Sequence, residues 1–213
     1  MNALIANAFE YMLKRCRDIE SPDGPSGHHV DRVGDLSYHL ARAMGLDQEL
    51  ALHIGFAAKV HDIGKIVISP AILNKQGRLT PDEFDVVKKH TVVGEAIVSA
   101  FEDGAVFALA REIALAHHER WNGGGYPRGL KGKDIPVSAR IVAVADCLDA
   151  IMHKRPYKAA WPADAALKYM VGESGKRFDP DIIWLIDSRP RDFLPLKGIP
   201  AREIDVEMWE HTR

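Results

Sequence analysis

The stretch "HHERWNGGGYP", His117 to Pro127, joins two adjacent histidines and a glutamate to three consecutive glycines and a Tyr-Pro pair. Apolar residues recur at helical spacing before it, so the sequence predicts a helix over about 105–118 that ends at the paired histidines. The glycine- and proline-rich segment 122–136 is predicted to be a loop, of a length usually tied to function. The stretch therefore marks a helix-to-loop junction that carries potential ligand side chains.

Helical periodicity continues on both sides of this junction, whereas strand patterns are almost absent. Asp47 is predicted to cap a helix that Gly64 stops, and "TPDE" at 80–83 is a capping box with proline at the first helical position. The helix after that box is predicted to run unbroken through "GEAIVSA", with His90 in its middle. Further helices are predicted at 29–44, at 138–153 with Ser138 as the cap, and in the shorter segments 161–175 and 179–187. The predicted fold class is all-α.

Length and composition are those of one globular domain with terminal extensions. The chain has 213 residues, of which 46% are hydrophobic and 27% charged, and this excludes a disordered or fibrous protein. A linker-like "SPDGPSG" run follows the first helix, and the C-terminal segment is broken by prolines. We therefore divide the chain into an N-terminal helix and linker at 1–26, a main domain at 27–190 and a C-terminal extension at 191–213.

Charge, cysteine content and hydropathy exclude several classes of function. A net charge of −2 and a pI near 6.5 give no basic field for nonspecific DNA binding. Cys16 and Cys147 are too few for a disulfide framework, which fits a reducing, cytoplasmic setting. The N-terminal helix is interrupted by polar residues, so it is predicted to be neither a signal peptide nor a membrane span. Its apolar stripe suits either packing on the main domain or formation of a homodimer, and both alternatives stay open.

Histidines and aspartates on or beside the predicted helices supply the candidate chemistry. Imidazole with carboxylate is a ligand set for divalent iron, manganese, zinc or nickel, whereas magnesium and calcium favour all-oxygen sites. Adjacent helical residues point roughly 100° apart, so His61 and Asp62 cannot face one ion. The same holds for His117 and His118, and each pair therefore suits two neighbouring ions. Two ions roughly 3.5 to 4 Å apart activate a bridging hydroxide for in-line attack on phosphorus.

Taken singly, each of these side chains is more often a surface or hydrogen-bonded core residue than a ligand. Lys65 could be an ordinary capping lysine, and "GGG" without the strand, lysine and Ser/Thr of a P-loop is no phosphate signature. The other histidines have no evident partner and are interpreted as structural: His28, His39, His53, His153 and His211.

The combination of motifs resembles the HD-GYP family of the HD phosphohydrolase superfamily. The resemblance covers about 27–180 and rests, in order, on "HDIGK", a downstream His90, "HHERWNGGGYP", "VADCLDA", "RPYK" and "KRFDP". It implies an all-helical HD-type bundle with a Gly/Pro-rich GYP loop. It also implies that the domain binds two or three metal ions, usually iron or manganese, and hydrolyses the bacterial messenger cyclic di-GMP.

Individual roles follow from the resemblance, position by position. Asp62 is expected to bridge two ions, and Lys65 to offset charge on the phosphoryl oxygens as the second catalytic residue. The implied metal ligands are His29, His61, Asp62, His90, His117, His118 and Asp146. The implied substrate contacts are Lys65, Asp149 for a guanine, and Arg155 with Lys158 for the phosphates.

The GYP loop has two interpretations, which the sequence leaves equally open. In the family this loop has been linked to contacts with GGDEF-type partner domains, and in the other interpretation the Tyr-Pro pair only rigidifies the loop. The loop residues concerned are Gly123, Gly125, Tyr126 and Pro127. Expected partners are therefore cyclic di-GMP, a GGDEF-domain protein or an upstream sensor domain.

The chain departs from the family pattern four residues before His29. Members with a third metal ion have a glutamate there, whereas this chain has Pro25, and the nearest carboxylate is Asp23. The resemblance with this departure implies two metal ions and linear pGpG as the main product, with further cleavage to GMP left open. Asn122, where aspartate is more usual, is expected to have little effect on metal binding.

Two alternatives from other classes stay open. The domain could be a catalytically silent module that binds a cyclic dinucleotide or a GGDEF partner, although every ligand of a two-metal centre is present. It could also be an HD hydrolase of another nucleotide, such as a different cyclic dinucleotide or a phosphomonoester.

Overall fold

The computed structural model describes residues 3–20, 29–101, 104–153 and 160–194. This part of the chain is helical and contains no β-strand, so the predicted all-α class is confirmed. Short 3₁₀ helices occur at Ile63–Val67 and Gly132–Asp134. The α-helices are α1 (Ala3–Glu20), α2 (His29–Ala43), α3 (Gln48–Ala58), α4 (Pro70–Leu73), α5 (Pro81–Lys88), α6 (His90–Ser99), α7 (Ala105–Ala116), α8 (Val137–Met152), α9 (Ala163–Gly172), α10 (Pro180–Ser188) and α11 (Pro190–Phe193).

The core lies where α2 packs on α3 and α8, and where α7 packs on α3 and α6. Helix α8 is buried along most of its length, including Ile141, Val142 and Val144. This all-round burial explains why the start of α8 lacks a polar face and could be taken for a buried strand. Since α8 packs on α2, α7 and α9, its polar residues lie close to other helices.

Helix α1 packs on the same core, one of the two alternatives left open by its apolar stripe. Met12 and Cys16 are buried, and the Phe9 ring lies edge-on to Phe107 of α7 at 5.9 Å. The Arg17 guanidinium also lies 2.7 Å from a carboxylate oxygen of Asp31 in α2. The division at residue 26 stays a prediction, since the linker lies outside the described residues.

Helix α3 ends earlier than predicted, at Ala58 instead of near Gly64. The chain turns after Ala58 and enters the 3₁₀ helix that begins at Ile63. A Cβ on Gly64 would lie 1.9 Å from the backbone oxygen of His90, so glycine is needed here for a close approach to α6. The prediction that Gly64 stops a helix is therefore wrong, and the residue instead lets the "HDIGK" turn rest against α6.

The helix predicted after "TPDE" is broken at Lys89. The capping box itself is confirmed, because Thr80 N–H donates to Glu83 Oε2 at 2.7 Å and Glu83 N–H donates to Thr80 Oγ1 at 3.2 Å. Helix α5 ends at Lys88 and α6 begins at His90, so His90 lies at a helix start and not in a helix middle.

The two remaining cap predictions have opposite outcomes. Asp47 caps α3 as predicted, since its Oδ1 accepts a hydrogen bond from Leu50 N–H at 2.8 Å. Ser138 is not the cap of α8, because the helix begins one residue earlier and Pro136 occupies the cap position. The Ser138 hydroxyl instead donates to Glu112 of α7 and ties the two helices together.

Within the described ranges, no helix combines the length and hydropathy that a membrane span requires.

Candidate metal centre

The structure brings the seven predicted ligand side chains together in two adjoining clusters. We call the first cluster site A, formed by Asp62, His90, His117 and His118. We call the second site B, formed by His29, His61 and Asp146. Within each site, one nitrogen or oxygen atom from every residue lies within 4.8 Å of the corresponding atoms of the others.

The ligands come from helix ends and turns, except for one in a helix interior. His29 begins α2 and His90 begins α6, while His117 and His118 directly follow α7. His61 and Asp62 lie in the turn after α3, and Asp146 lies within α8. The early end of α3 therefore brings the adjacent His61 and Asp62 into different sites.

Asp62 reaches both sites with its two carboxylate oxygens. Oδ1 lies 3.2 Å from His90 Nε2 and 3.7 Å from His117 Nε2, both in site A. Oδ2 lies 3.2 Å from His61 Nε2 in site B. This is the arrangement that a carboxylate shared by two ions requires.

Three of the imidazoles are oriented by backbone carbonyl groups. A carbonyl oxygen can only accept a hydrogen bond, so the Nδ1 atom facing it carries the proton and Nε2 of the neutral ring presents a lone pair. The Nδ1-to-carbonyl pairs are His61 with Ala58 at 2.7 Å, His90 with Val87 at 2.6 Å and His117 with Ile113 at 2.9 Å.

The lone pairs of site A face one another in a way that suits a cation. His90 Nε2 and His117 Nε2 are 3.5 Å apart, and Oδ1 of Asp62, buried beside them, has no hydrogen-bond partner among the described residues. Burial lowers the pKa of His90 to about 4, against the opposing attraction of Asp62, so this ring is neutral at pH 7. Burial also lowers the pKa of His118 well below its usual value. Converging acceptors without a proton between them fit a divalent ion.

The carboxylates of the centre are held in the charged form. Burial alone raises the pKa of Asp62, but the Lys65 ammonium and His61 outweigh it and hold the pKa well below the usual range. Burial likewise raises the pKa of Asp146, and the hydrogen bond and charge of His29 outweigh this effect. The ammonium of Lys65 donates to Asp62 Oδ2, which places a positive charge at the edge of both sites.

Asp149 is committed to contacts within the protein. It is 4% exposed, and its Oδ2 accepts from His29 Nδ1 at 2.6 Å. Arg32 donates to both of its oxygens, at 2.5 Å and 3.0 Å, and His153 Nδ1 lies 2.9 Å from Oδ1. The guanine contact stays a prediction, and these contacts give Asp149 a further role behind His29. Asp149 turns His29 Nε2 towards Asp146, whose Oδ1 is 3.4 Å away.

Sequence reasoning missed two members of this network. Arg32 follows His29 by three residues and His153 follows Asp149 by four, so each pair shares a helix face. That spacing was a usable signal. His153 was interpreted as structural with no evident partner, and the structure gives it a partner in Asp149.

The GYP loop folds back onto site A. The phenol ring of Tyr126 stacks on the His118 imidazole with centroids 4.8 Å apart, and the Tyr126–Pro127 peptide bond is cis. Burial raises the pKa of Tyr126, so its phenol stays neutral. A Cβ on Gly125 would lie 2.3 Å from the backbone nitrogen of Arg120. Glycine is therefore needed at position 125 for the loop to approach the backbone of Arg120 this closely.

Glu119, absent from the predicted site, holds the far side of the loop. Its buried carboxylate accepts hydrogen bonds from the backbone N–H groups of Arg128 at 2.7 Å and Leu130 at 3.0 Å. It directly follows the paired histidines in "HHER", and this adjacency was the available signal. Gly123 begins the glycine run with a φ of 83°.

The predicted phosphate contacts Arg155 and Lys158, together with Asp23 and Pro25, lie outside the described residues.

Fold and site together define an all-α, metal-binding domain with paired His/Asp clusters. The family model described as "HD domain" matches residues 4–182, so the chain belongs to the HD domain family. The resemblance to the HD-GYP family is thereby confirmed, in agreement with the relatives below.

Curated relatives match most of this chain. A "Cyclic di-GMP phosphodiesterase" of Thermotoga maritima is 46% identical over 172 residues, covering 81% of this chain and 45% of the relative. "Cyclic di-GMP phosphodiesterase response regulator RpfG" of Xanthomonas campestris is 42% identical, covering 84% and 47%. A "3'3'-cGAMP-specific phosphodiesterase 2" of Vibrio cholerae is 35% identical, covering 89% and 36%. The chain thus spans less than half the length of these relatives.

Solved structures share the fold at lower identity. Bd1817, a HDG"Y"P protein from Bdellovibrio bacteriovorus, superposes with a TM-score of 0.64 at 23% identity, covering 89% of this chain and 63% of that one. The PgpH HD domain of L. monocytogenes, in complex with cyclic-di-AMP, gives a TM-score of 0.57 at 20% identity, covering 92% and 99%. At these identities the likeness supports the helical architecture alone.

Proposed function

We propose that this domain hydrolyses cyclic di-GMP to linear pGpG at a two-metal centre formed by sites A and B. The observation that carries the proposal is the position of Asp62, which offers one carboxylate oxygen to the imidazole lone pairs of each site. The relatives named cyclic di-GMP phosphodiesterases, at 46% and 42% identity, support the choice of substrate.

The residues of the chain contribute positioning and charge. Two divalent ions held by sites A and B would supply an activated water and would stabilise the charge on the phosphoryl oxygens. Asp62 fixes the separation of the two sites, and the backbone carbonyls hold the imidazole rings. Lys65, already directed at Asp62, adds positive charge next to the bound phosphodiester. We assign Asp62 and Lys65 as the catalytic residues on this basis.

The ligand chemistry narrows the choice of metal, and the sequence before His29 bears on the number of ions. Mixed imidazole and carboxylate ligands suit divalent iron or manganese, and zinc and nickel also fit this set. We propose two ions, because Pro25 stands where a third ion would need a carboxylate. On that basis pGpG is the main product, with any GMP arising from a slower second cleavage.

The remaining assignments are also proposals. A GGDEF-domain protein at the GYP loop rests on the family resemblance, an upstream sensor domain and a homodimer rest on the N-terminal helix, and a cytoplasmic location rests on the low cysteine content. The stacking of Tyr126 on His118 favours a loop that also serves the metal centre, since the ring is partly committed to the site.

A second candidate substrate is a mixed cyclic dinucleotide. The Vibrio cholerae relative named a 3'3'-cGAMP-specific phosphodiesterase is 35% identical over 89% of this chain. Asp149, the predicted guanine contact, is bonded to His29 and Arg32, and these contacts do not choose between guanine and adenine. Both nucleotides therefore belong in the same assay.

The deciding experiment is an anaerobic assay on protein reconstituted with ferrous iron or with manganese. Metal content is measured on the same sample, and the products from cyclic di-GMP and 3'3'-cGAMP are separated by chromatography. About two ions per chain with accumulation of pGpG would support the proposal. Full metal loading with both nucleotides returned intact would overturn it and leave a binding module.

A further inference from the structure

Helix α5 presents an aromatic side chain that the core does not use. Its residues are all at least partly exposed, and the ring-bearing Phe84 is 46% exposed. The helix is nevertheless fixed in place, by its capping box and by an ion pair between Lys75 and Glu83 at 2.6 Å. A rigid helix that leaves an aromatic ring in solvent has a surface available for a ligand.

This ring lies at the rim of site A. The Phe84 and Tyr126 rings meet edge to face, with centroids 6.2 Å apart and an interplanar angle of 85°. Tyr126 in turn stacks on the ligand His118 at 4.8 Å. Phe84 therefore contacts Tyr126, and Tyr126 contacts His118, a predicted metal ligand. The Lys88 ammonium lies 5.4 Å from the Phe84 centroid and is paired with Asp85 at 2.5 Å, so these two charges largely offset each other beside the ring.

We propose that Phe84 is a stacking surface for one base of the nucleotide substrate. The inference rests on the proposed function, which places a phosphodiester at sites A and B. In a nucleotide, one ribose separates the base from its phosphate, so a base must lie near the rim when the phosphate lies at the metal ions. Stacking on an aromatic face strengthens binding without selecting among purines, because every base has a π-face. Phe84 thus contributes affinity and leaves the choice of base to other contacts.

The test compares Phe84→Ala, Phe84→Leu and Phe84→Trp in the manganese-loaded protein. Phe84→Leu keeps an apolar side chain without the aromatic face, and Phe84→Trp keeps the face. Trp184→Ala is the matched control, because Trp184 is 67% exposed on α10, a helix that carries no ligand of either site. Two readouts are used: kcat and KM for cyclic di-GMP, and the quenching of a cyclic dinucleotide that carries 2-aminopurine, whose fluorescence falls on stacking.

We expect Phe84→Ala and Phe84→Leu to raise KM about tenfold with little change in kcat and to reduce the quenching. Phe84→Trp should restore both, and Trp184→Ala should change neither. Unchanged KM and quenching in Phe84→Ala, or equal losses in the Trp184 control, would overturn the inference. If the wild-type protein quenches the probe through Phe84 but leaves cyclic di-GMP intact, the proposed function fails while the stacking role stands.

Discussion

Sites A and B differ in how one imidazole is held. In site A, His90 and His117 are oriented by backbone carbonyls three or four residues earlier in the chain. In site B, His61 is oriented in the same way by Ala58, but His29 is oriented by a carboxylate 120 residues away, that of Asp149, which Arg32 also holds. A backbone acceptor cannot be removed by substitution, whereas a side-chain acceptor can. The comparison teaches that the imidazoles of site A rest on helix geometry, whereas site B depends in part on a charged side-chain network.

The largest effect should come from Asp62, the residue that the two sites share. Asp62→Ala removes an oxygen from each site, so we expect both ions to be lost and turnover to fall more than about a thousandfold. Metal analysis and the cyclic di-GMP assay check this outcome. A variant that keeps both ions and normal turnover would contradict the shared role of Asp62.

Gly64→Ala should disrupt the contact that places the two sites side by side. The new Cβ would lie within 2 Å of the His90 carbonyl oxygen, so the "HDIGK" turn must move away from α6. We expect a loss of about 3 kcal/mol in the free energy of unfolding, together with weaker metal binding. Thermal unfolding measures the first effect. Gly172→Ala is the control, because a Cβ there meets nothing within 4 Å.

Substitution of Asp149 is the most direct test of the difference between site A and site B. Asp149→Ala should weaken metal binding at site B about 10- to 100-fold and leave site A loaded, since only His29 loses its orienting partner. Titration with Mn²⁺ should then show one tight and one weak site. Asp149→Asn keeps an acceptor for His29 and should fall between wild type and Asp149→Ala. Equal weakening of both sites would show that the two do not differ in this way.

The smallest effect is expected at site A, from substitution of Tyr126. Tyr126→Ala removes the ring that stacks on His118, and metal affinity at site A alone should fall about three- to tenfold. Tyr126→Phe retains the stacked ring and should bind metal like the wild type. If Tyr126→Phe is as weak as Tyr126→Ala, the hydroxyl and not the stacked face supports the site.

The sequence predicted the ligands better than the backbone that carries them. The ligand set was predicted from the chemistry of the histidines and aspartates together with the family resemblance, and the structure brings all seven predicted ligands together. The breaks after Ala58 and at Lys89 were not predicted, because helical periodicity continues across both. They accompany a tertiary contact, the fit of Gly64 against α6, which no local pattern reveals.

The contact of Asp149 with His29 was not predicted, for a related reason. The position of Asp149 three residues after Asp146 was visible in the sequence, but its partner His29 lies on another helix. Only the packing of α2 on α8 brings the two together. Sequence spacing finds contacts within a helix, whereas contacts between helices depend on the assembled bundle.

The hydrogen bonds from Nδ1 to backbone carbonyls also affect the proton balance of metal uptake. The tautomers of His61, His90 and His117 are set before any ion arrives, and the pKa of His90, about 4, keeps that ring neutral at pH 7. An entering ion therefore displaces no proton from His90, in contrast to a ligand that must first be deprotonated.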